Sequence, residues 1–526
     1  MKKDLSRRSF IKGAAIGTGA FAMAGIGGAK EAYGVPPPKK WDMETDVLVL
    51  GFGGAGASAA IAAHDAGAKI LIVEKAPFGG GNSGCCLGAM LLPNNIPDAI
   101  KYYRALSFGT VKDDLLIAAF ADALVNLPKK LKEWGINTQY RMKNVVKNLP
   151  RAVFPKLPGV ECIDYLTAGS GKKVFEMISR VVNERGIKIL YETPARKLVQ
   201  DCSNKEVKGA VVEIKGAEKF IKAKKAVIMA TGGFENNVEM QGYYFYPGLR
   251  LYPFGTPYNT GDGIKMAFAV GADQWHFSCV EWMTVCMKAP TEQMKATIQF
   301  GFAPGACIIV NQKGRQFINE AKSLSHRKDP MQFTFFDHEE ARYANIPFFA
   351  IFDESFRLKN QLYPDDYKKQ EVGYAAAHNV YEWSKDNTTE IEKGWIIKGE
   401  SIEDLAKGIG VDAAGLKDTI AVHNQNCKEG KSSEFGRPAK DSAPLEQPPF
   451  YAVELAPSII NTQGGPKHNF LAQTMDTEGK PIPRLYTPGE LGSFFGHLYQ
   501  GGSNFPEALA FGRIAGESAA KEKSWK

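Results

Sequence analysis

The chain has 526 residues, of which 44% are hydrophobic and 23% charged, with a formal net charge of +8. That length calls for more than one domain, and the composition excludes collagen-like, coiled-coil and disordered classes. Residues 1–32 carry six Lys/Arg against two Asp/Glu, so half of the net charge belongs to the N-terminal segment. What remains is too small and too scattered for a nucleic-acid partner, and Lys222 to Lys225 reads as a solvated face.

Ser6-Arg7-Arg8-Ser9-Phe10-Ile11-Lys12, followed by small apolar residues from Gly13 to Ala29, fits a twin-arginine export signal. Residues 1–32 are therefore expected to be a signal peptide and 33–41, with Pro36-Pro37-Pro38, a linker. That export route carries folded proteins, often already loaded with a cofactor, so a cofactor is sought in the mature chain. No later apolar run approaches the ~20 residues of a membrane span. Eight cysteines are too few for a disulfide framework in a chain this long, and no Cys-x-x-Cys-His occurs. Adjacent Cys85 and Cys86 read as small core residues, a redox role being the lesser alternative.

Asp46 to Leu50 predicts a short strand, Gly51-Phe-Gly53-Gly54-Ala55-Gly56 a glycine-rich turn, and Ala57 to Ala66 a helix. Lys69 to Val73 predicts a second strand that ends at Glu74. This is the opening of a dinucleotide-binding βαβ unit. One glycine makes the tight turn, one admits a pyrophosphate, and one allows close helix–strand packing. The helix N-terminus favours the anion, and Glu74 is placed to accept hydrogen bonds from ribose hydroxyls. Further strands are expected at Val207–Ile214 and Ala226–Ala230, the latter running into Thr231-Gly232-Gly233. Residues from about 276 to 445 mix strands, helices and aromatic loops. A strand–loop–helix unit then returns near Tyr486. The expected fold is α/β: a discontinuous Rossmann-like FAD-binding domain (41–275 and 446–526) with an inserted α+β capping domain (276–445).

FAD is favoured over NAD by a second glycine-rich loop directly after Glu74-Lys75, Gly79-Gly80-Gly81-Asn82-Ser83. Thr260-Gly261-Asp262-Gly263 and Pro488-Gly489-Glu490 are further loops suited to the same cofactor. With these motifs the chain, from about residue 44 to 518, resembles the flavoprotein family of fumarate reductases, succinate dehydrogenase flavoprotein subunits, urocanate reductase and 3-ketosteroid dehydrogenases. The resemblance implies FAD contacts at Gly51, Gly53, Gly54, Ala55, Gly56, Glu74, Lys75, Gly81, Asn82, Ser83, Ala230, Thr231, Gly232, Asp262, Gly489 and Glu490. It also implies that Ser503, Asn504 and Phe505 meet the flavin ring from a helix N-terminus, a favourable place for an anionic reduced flavin. Covalent members use a histidine in the loop after the acidic residue. Asn82-Ser83-Gly84 stands there in this chain, so non-covalent FAD is expected.

Members that handle a carboxylate are expected to hold it with arginines, which grip a planar carboxylate bidentately. Where the resemblance leads one to expect them, this chain has Phe302 and Tyr499, and Glu281-Trp282-Met283 in place of a histidine. Burying a carboxylate without a guanidinium costs several kcal/mol, so fumarate, succinate and urocanate are disfavoured. Trp282, Met283 and Phe302 are candidates for an apolar substrate face, with domain-interface packing as the alternative. A tyrosine just before Gly501-Gly502-Ser503 resembles the 3-ketosteroid dehydrogenase branch. The expected reaction moves a hydride between flavin and the C=C bond of an α,β-unsaturated carbonyl compound, with Tyr499 as proton donor or acceptor. His497 orients Tyr499, acts itself, or is structural. Glu281 is a relay or an ion-pair partner, and Ser503 completes the catalytic set. No metal is expected. Electrons must come from or go to a separate protein, a cytochrome or a quinol-linked membrane partner. Alternatives are a reductase of an aryl or short unsaturated acid with other cationic clamps (Lys288, Lys295, Arg327, Lys467-His468), or an electron-transfer subunit without organic substrate.

Overall fold

A computed structural model describes residues 34–143, 154–288, 296–320 and 331–525. The export segment, Lys295 and Arg327 lie outside the described residues. The elements that build the site are β1 (Met43–Leu50), α1 (Gly54–Asp65), β2 (Ile70–Val73), β3 (Lys188–Leu190) and β4 (Ala217–Met229), then β5 (Val280–Met287), β6 (Phe450–Thr462), β7 (Pro481–Tyr486) and α2 (Asn504–Lys521).

The first sheet is an open, doubly covered parallel layer. Its strands run in the order β7-β4-β1-β2-β3, with every one of these pairings parallel. A β-hairpin, Ala195–Gln200 with Val207–Ile214, joins β4 antiparallel. Burial on both faces explains why β1 is an unbroken apolar run. Val47 and Val49 enter one core with α1 and α2, while Leu48 and Leu50 enter the other. The predicted strands and the helix after the glycine turn are present, their ends within three residues of expectation except that β4 begins at Ala217, nine residues before the expected Ala226.

The second sheet is mostly antiparallel. β6 is its spine, pairing with β5, with Phe348–Asp353 and with Ile397–Gly399. Strands Tyr252–Pro253 and β6 itself come from outside residues 276–445, so the two sheets are stitched together by the chain on both sides of the expected insert.

The helices α1 and α2 lie unusually close because small residues line their contact. A Cβ on Gly512 would stand 2.4 Å from the Ala55 carbonyl oxygen, and one on Gly516 2.2 Å from that of Ala59. Ser58 Oγ donates to the Leu509 carbonyl at 2.6 Å across the same seam. Both N-termini thereby open onto one cavity. Among the described residues no helix is long and apolar enough to cross a membrane.

Candidate active site

The cavity, about 380 Å³, lies beyond the carboxyl ends of β1, β2 and β4, where open parallel sheets bind their ligands. Gly51 has φ +102°, and a Cβ there would sit 2.3 Å from the Ala230 carbonyl oxygen. A Cβ on Gly56 would stand 2.0 Å from the Gly51 oxygen. These two glycines are therefore required by close packing at the turn. Gly53, whose Cβ would meet nothing closer than 3.5 Å, leaves the cavity wall open instead. Glu74 accepts from the backbone N–H of Phe52 (2.7 Å) and of Ala76 (2.8 Å). Burial raises its pKa, against those two hydrogen bonds.

Along the next wall, Lys75 Nζ donates to Thr260 Oγ1 (2.7 Å) and Asp262 Oδ2 (2.8 Å). Burial works against ionisation of Asp262, but the Lys75 bond and charge prevail and hold its pKa below the ordinary value. Asn82 is the hub. Its Nδ2 donates to Glu235 Oε1 (2.6 Å) and to both oxygens of Glu490 (3.1 Å each), while its Oδ1 accepts from Thr256 N–H (2.9 Å). Ser83 Oγ accepts from Gly54 N–H at 3.1 Å, tying the second glycine loop to the first turn of α1.

The far end of the cavity is lined by Glu281, Gln299, Gln370, Tyr499, Asn504 and Phe505. Tyr499 is buried at 8% exposure, its ring edge-on to Phe495, and its hydroxyl accepts from Asn504 N–H (3.3 Å) at the start of α2. Glu281 is 1% exposed. Lys75 is the only cation among the described lining residues, and it is already paired, whereas Glu74, Asp262, Glu281 and Glu490 all line the cavity.

Of the residues singled out in the sequence, the cavity gathers Gly51, Gly53, Gly54, Ala55, Glu74, Lys75, Gly81, Asn82, Ser83, Ala230, Thr231, Gly232, Asp262, Glu281, Glu490, Tyr499, Asn504 and Phe505. Gly56, Gly489 and Ser503 lie just behind it. Others stand away from the lining. Trp282 follows Glu281 on β5 and so points to the opposite face, into a cluster with Leu249, Leu251 and Ile459. Phe302 lies beneath the buried Arg437 guanidinium at 4.8 Å, in the second sheet's core. His497 is exposed, its ring tilted by 35° against that of Phe108 at 5.0 Å. The Met283 side chain lies outside the described residues, though its backbone pairs with Ser458. Lys288 pairs with Glu454, Lys467 with Asp273, and His468 is fully buried against Phe511, so none of these three lines the cavity. Cys85 and Cys86, read as core residues, both line it, with burial pushing the Cys85 thiol up and that of Cys86 to about 11.

Sequence reasoning passed over Glu235, Asn259, Gln299 and Gln370. Only Glu235 and Asn259 carried a signal, standing beside the glycines of Thr231-Gly232-Gly233 and Thr260-Gly261.

FAD fits these residues. The two helix N-termini supply donors for a pyrophosphate and for a reduced ring. Thr231 Oγ1 and Asn504 Nδ2, both of cavity-lining residues, are buried without a hydrogen-bond partner in the protein, as expected of groups that face a polar ligand. Fold and cavity together define a dinucleotide-binding flavoprotein. The family model described as "FAD binding domain" matches residues 46–505, and the chain belongs to that family. It is 30% identical to a probable fumarate reductase of Shewanella frigidimarina, over 91% of this chain and 75% of that protein. It is 25% identical to a vinyl phenol reductase of Lactiplantibacillus plantarum, over 90% and 96%. A solved 3-ketosteroid Δ1-dehydrogenase of Sterolibacterium denitrificans, 24% identical, superposes with a TM-score of 0.71 over 91% of this chain and 99% of that one. A flavocytochrome c3 fumarate reductase, 27% identical, gives 0.67 over 91% and 79%. The chain is an FAD-dependent oxidoreductase acting on C=C bonds of small molecules.

Proposed function

We propose that this is an exported reductase or dehydrogenase of a neutral, carboxylate-free α,β-unsaturated compound, an enone or a related conjugated aryl alkene. Bound FAD supplies hydride exchange at N5 with the substrate's C=C bond. Tyr499 gives or takes the accompanying proton, and α2 holds its hydroxyl at the cavity wall through Asn504 N–H. Glu281 accepts a hydrogen bond from a donor on the substrate or passes the proton onward. The FAD contacts are those of the cavity lining, and residues 276–445 act as the cap that excludes water. A separate cytochrome or quinol-linked protein exchanges electrons with the flavin.

One observation carries this reading. Among the described lining residues the single cation, Lys75, is already paired with Asp262, and the other acidic lining residues are Glu74, Glu281 and Glu490. A carboxylate substrate finds no unpaired cation among the described lining residues. The vinyl phenol reductase relative shows that a family member can be named for a substrate without a carboxylate. The fumarate reductase relatives support the second reading, an acid reductase whose clamp comes from Lys295 or Arg327.

The test is re-oxidation. The purified yellow protein is reduced with dithionite under argon, and flavin absorbance is followed after adding a steroid enone, a vinyl phenol, a cinnamate or fumarate. Recovery with the first two alone is expected. Recovery with fumarate or cinnamate alone establishes the acid reductase. No recovery with any compound favours an electron relay without organic substrate.

A further inference from the structure

Behind the cofactor wall lies an acidic pair that the reaction does not use. Glu235 is 0% exposed and sits two residues after Gly233, on the loop that follows β4. Glu490 stands on the 3-10 turn Gly489–Gly492 and lines the cavity. The carboxyls converge. A Cβ on Gly233 would lie 2.7 Å from Glu235 Oε2 and 2.8 Å from Glu490 Oε1, so these oxygens are at most about 5.5 Å apart. They also share donors. Asn82 Nδ2 serves both, and Asn259 Nδ2 reaches Glu235 Oε1 at 2.8 Å and Glu490 Oε2 at 3.4 Å.

The groups facing the pair are neutral. The Gly81–Cys85 turn contributes Asn82 and the Cys85 thiol, the loop before Asp262 contributes Asn259, and the end of β6 contributes Thr462 through Oγ1 and N–H. Gln241, on the helix Val238–Tyr244, holds the Glu235 backbone carbonyl. Among the described residues no lysine, arginine or histidine forms an ion pair with either carboxyl. Glu235, fully buried, and Glu490, half-buried at the cavity wall, cannot both ionise cheaply without a cation, and the protons then belong to the pair. In keeping with this, burial raises both pKa values, and the charge of Glu235 raises that of Glu490 further.

We propose that Glu235 is a positioning residue of the FAD cradle: it shares a single proton with Glu490, and that proton holds Asn82, Asn259 and their two loops against the cofactor. The cradle is then closed while one carboxyl is neutral and opens when both ionise. This rests on the FAD cavity described above and on nothing about the substrate.

The experiment follows flavin release from the full-length holoprotein by fluorescence between pH 5 and 9, with Glu235→Gln and Glu490→Gln as variants. Wild type is expected to lose FAD affinity as pH rises above the pair's ionisation, by up to about tenfold per pH unit. Glu235→Gln replaces the proton-sharing partner by a neutral amide, so its affinity is expected to stay flat over that range. Should Glu490→Gln bind FAD poorly through lost contacts, the infrared difference spectrum of wild type minus Glu235→Gln at pH 7, in which the C=O band of Glu507 cancels and a carboxylic-acid band of the pair is expected to remain, gives the same answer. A release profile in Glu235→Gln that parallels wild type, or no carboxylic-acid band left in that difference spectrum, overturns the proposal. A preparation that never takes up FAD would instead defeat the cofactor assignment, a different and separately visible outcome.

Discussion

Gly512→Ala probes the seam that brings two helix N-termini to one ligand. The added methyl carbon would lie 2.4 Å from the Ala55 carbonyl oxygen and 3.0 Å from Ser58 Cβ. Comfortable contact needs roughly 3.5 Å, so α1 and α2 must part by about 1 Å. The Ser58–Leu509 hydrogen bond on the same seam is stretched with it. Overpacking of this size costs about 1–3 kcal/mol, and a lost buried hydrogen bond about 1 kcal/mol more. Because Gly53-Gly54 and Asn504-Phe505 line opposite parts of the cavity, separation of the helices is felt as ligand affinity as well as stability. FAD binding should weaken between about 5-fold and several hundredfold at 1.4 kcal/mol per decade. Titration of the apoprotein with FAD, followed by flavin fluorescence quenching, reads the affinity, and thermal melting with and without FAD reads the stability. Gly516→Ala, two turns further from the cavity mouth than Ala508, should lower the melting temperature with a smaller loss of affinity. Wild-type FAD affinity and melting temperature in Gly512→Ala would refute the claim that this seam sets the cavity.

Tyr499→Phe should keep FAD bound, remove the weak acceptor of Asn504 N–H, and lower turnover by about 10²–10⁴-fold; stopped-flow re-oxidation by a turning-over substrate checks it. Glu507, fully buried, has its pKa pushed up to about 7 by burial, against bonds from Phe494 N–H and Ser493. A raised folded-state pKa means that its stabilising share is complete below the ordinary carboxyl value and is lost as pH rises through about 7. Glu507→Gln should therefore be less stable than wild type at pH 5, and the gap should shrink by on the order of 3 kcal/mol by pH 8 in denaturant titrations. Asp262 has the opposite sign: its pKa is lowered, so its contribution is present above the ordinary value and lost as pH falls through the lowered one. Lys75→Met should move the acid limb of flavin retention to higher pH and weaken FAD binding about 2–5-fold, the modest effect of a half-exposed pair, measured by fluorescence titration.

The nucleotide-binding half was legible because its signals are local. Gly51, Gly53 and Gly56 stand out by their spacing alone, and β1 and β2 announce themselves as short apolar runs. The substrate end was not, because it depends on which way a side chain faces. Glu281 and Trp282 are neighbours on β5, where alternation turns one toward the cavity and the other toward Leu249 and Ile459. No periodicity said which, since the pairing with β6 is broken by a register shift between those two residues. Phe302 stood out as an aromatic in an arginine's expected place, but it serves as the platform for Arg437, over a hundred residues away in the chain. The carboxyl pair was invisible for the same reason. Glu490 was legible as a cofactor-loop residue and Glu235 only as a neighbour of a glycine pair, and only the fold sets Asn82 between them.

The seam between α1 and α2 has a consequence for biosynthesis. Its two sides are written some 450 residues apart, as Ser58 and Leu509 attest. A ribosome-bound chain that has made the glycine turn has only half a receptacle, and the prosthetic group can settle only after α2 emerges. Flavin retention is thus a built-in certificate of finished synthesis: prematurely terminated chains stay colourless.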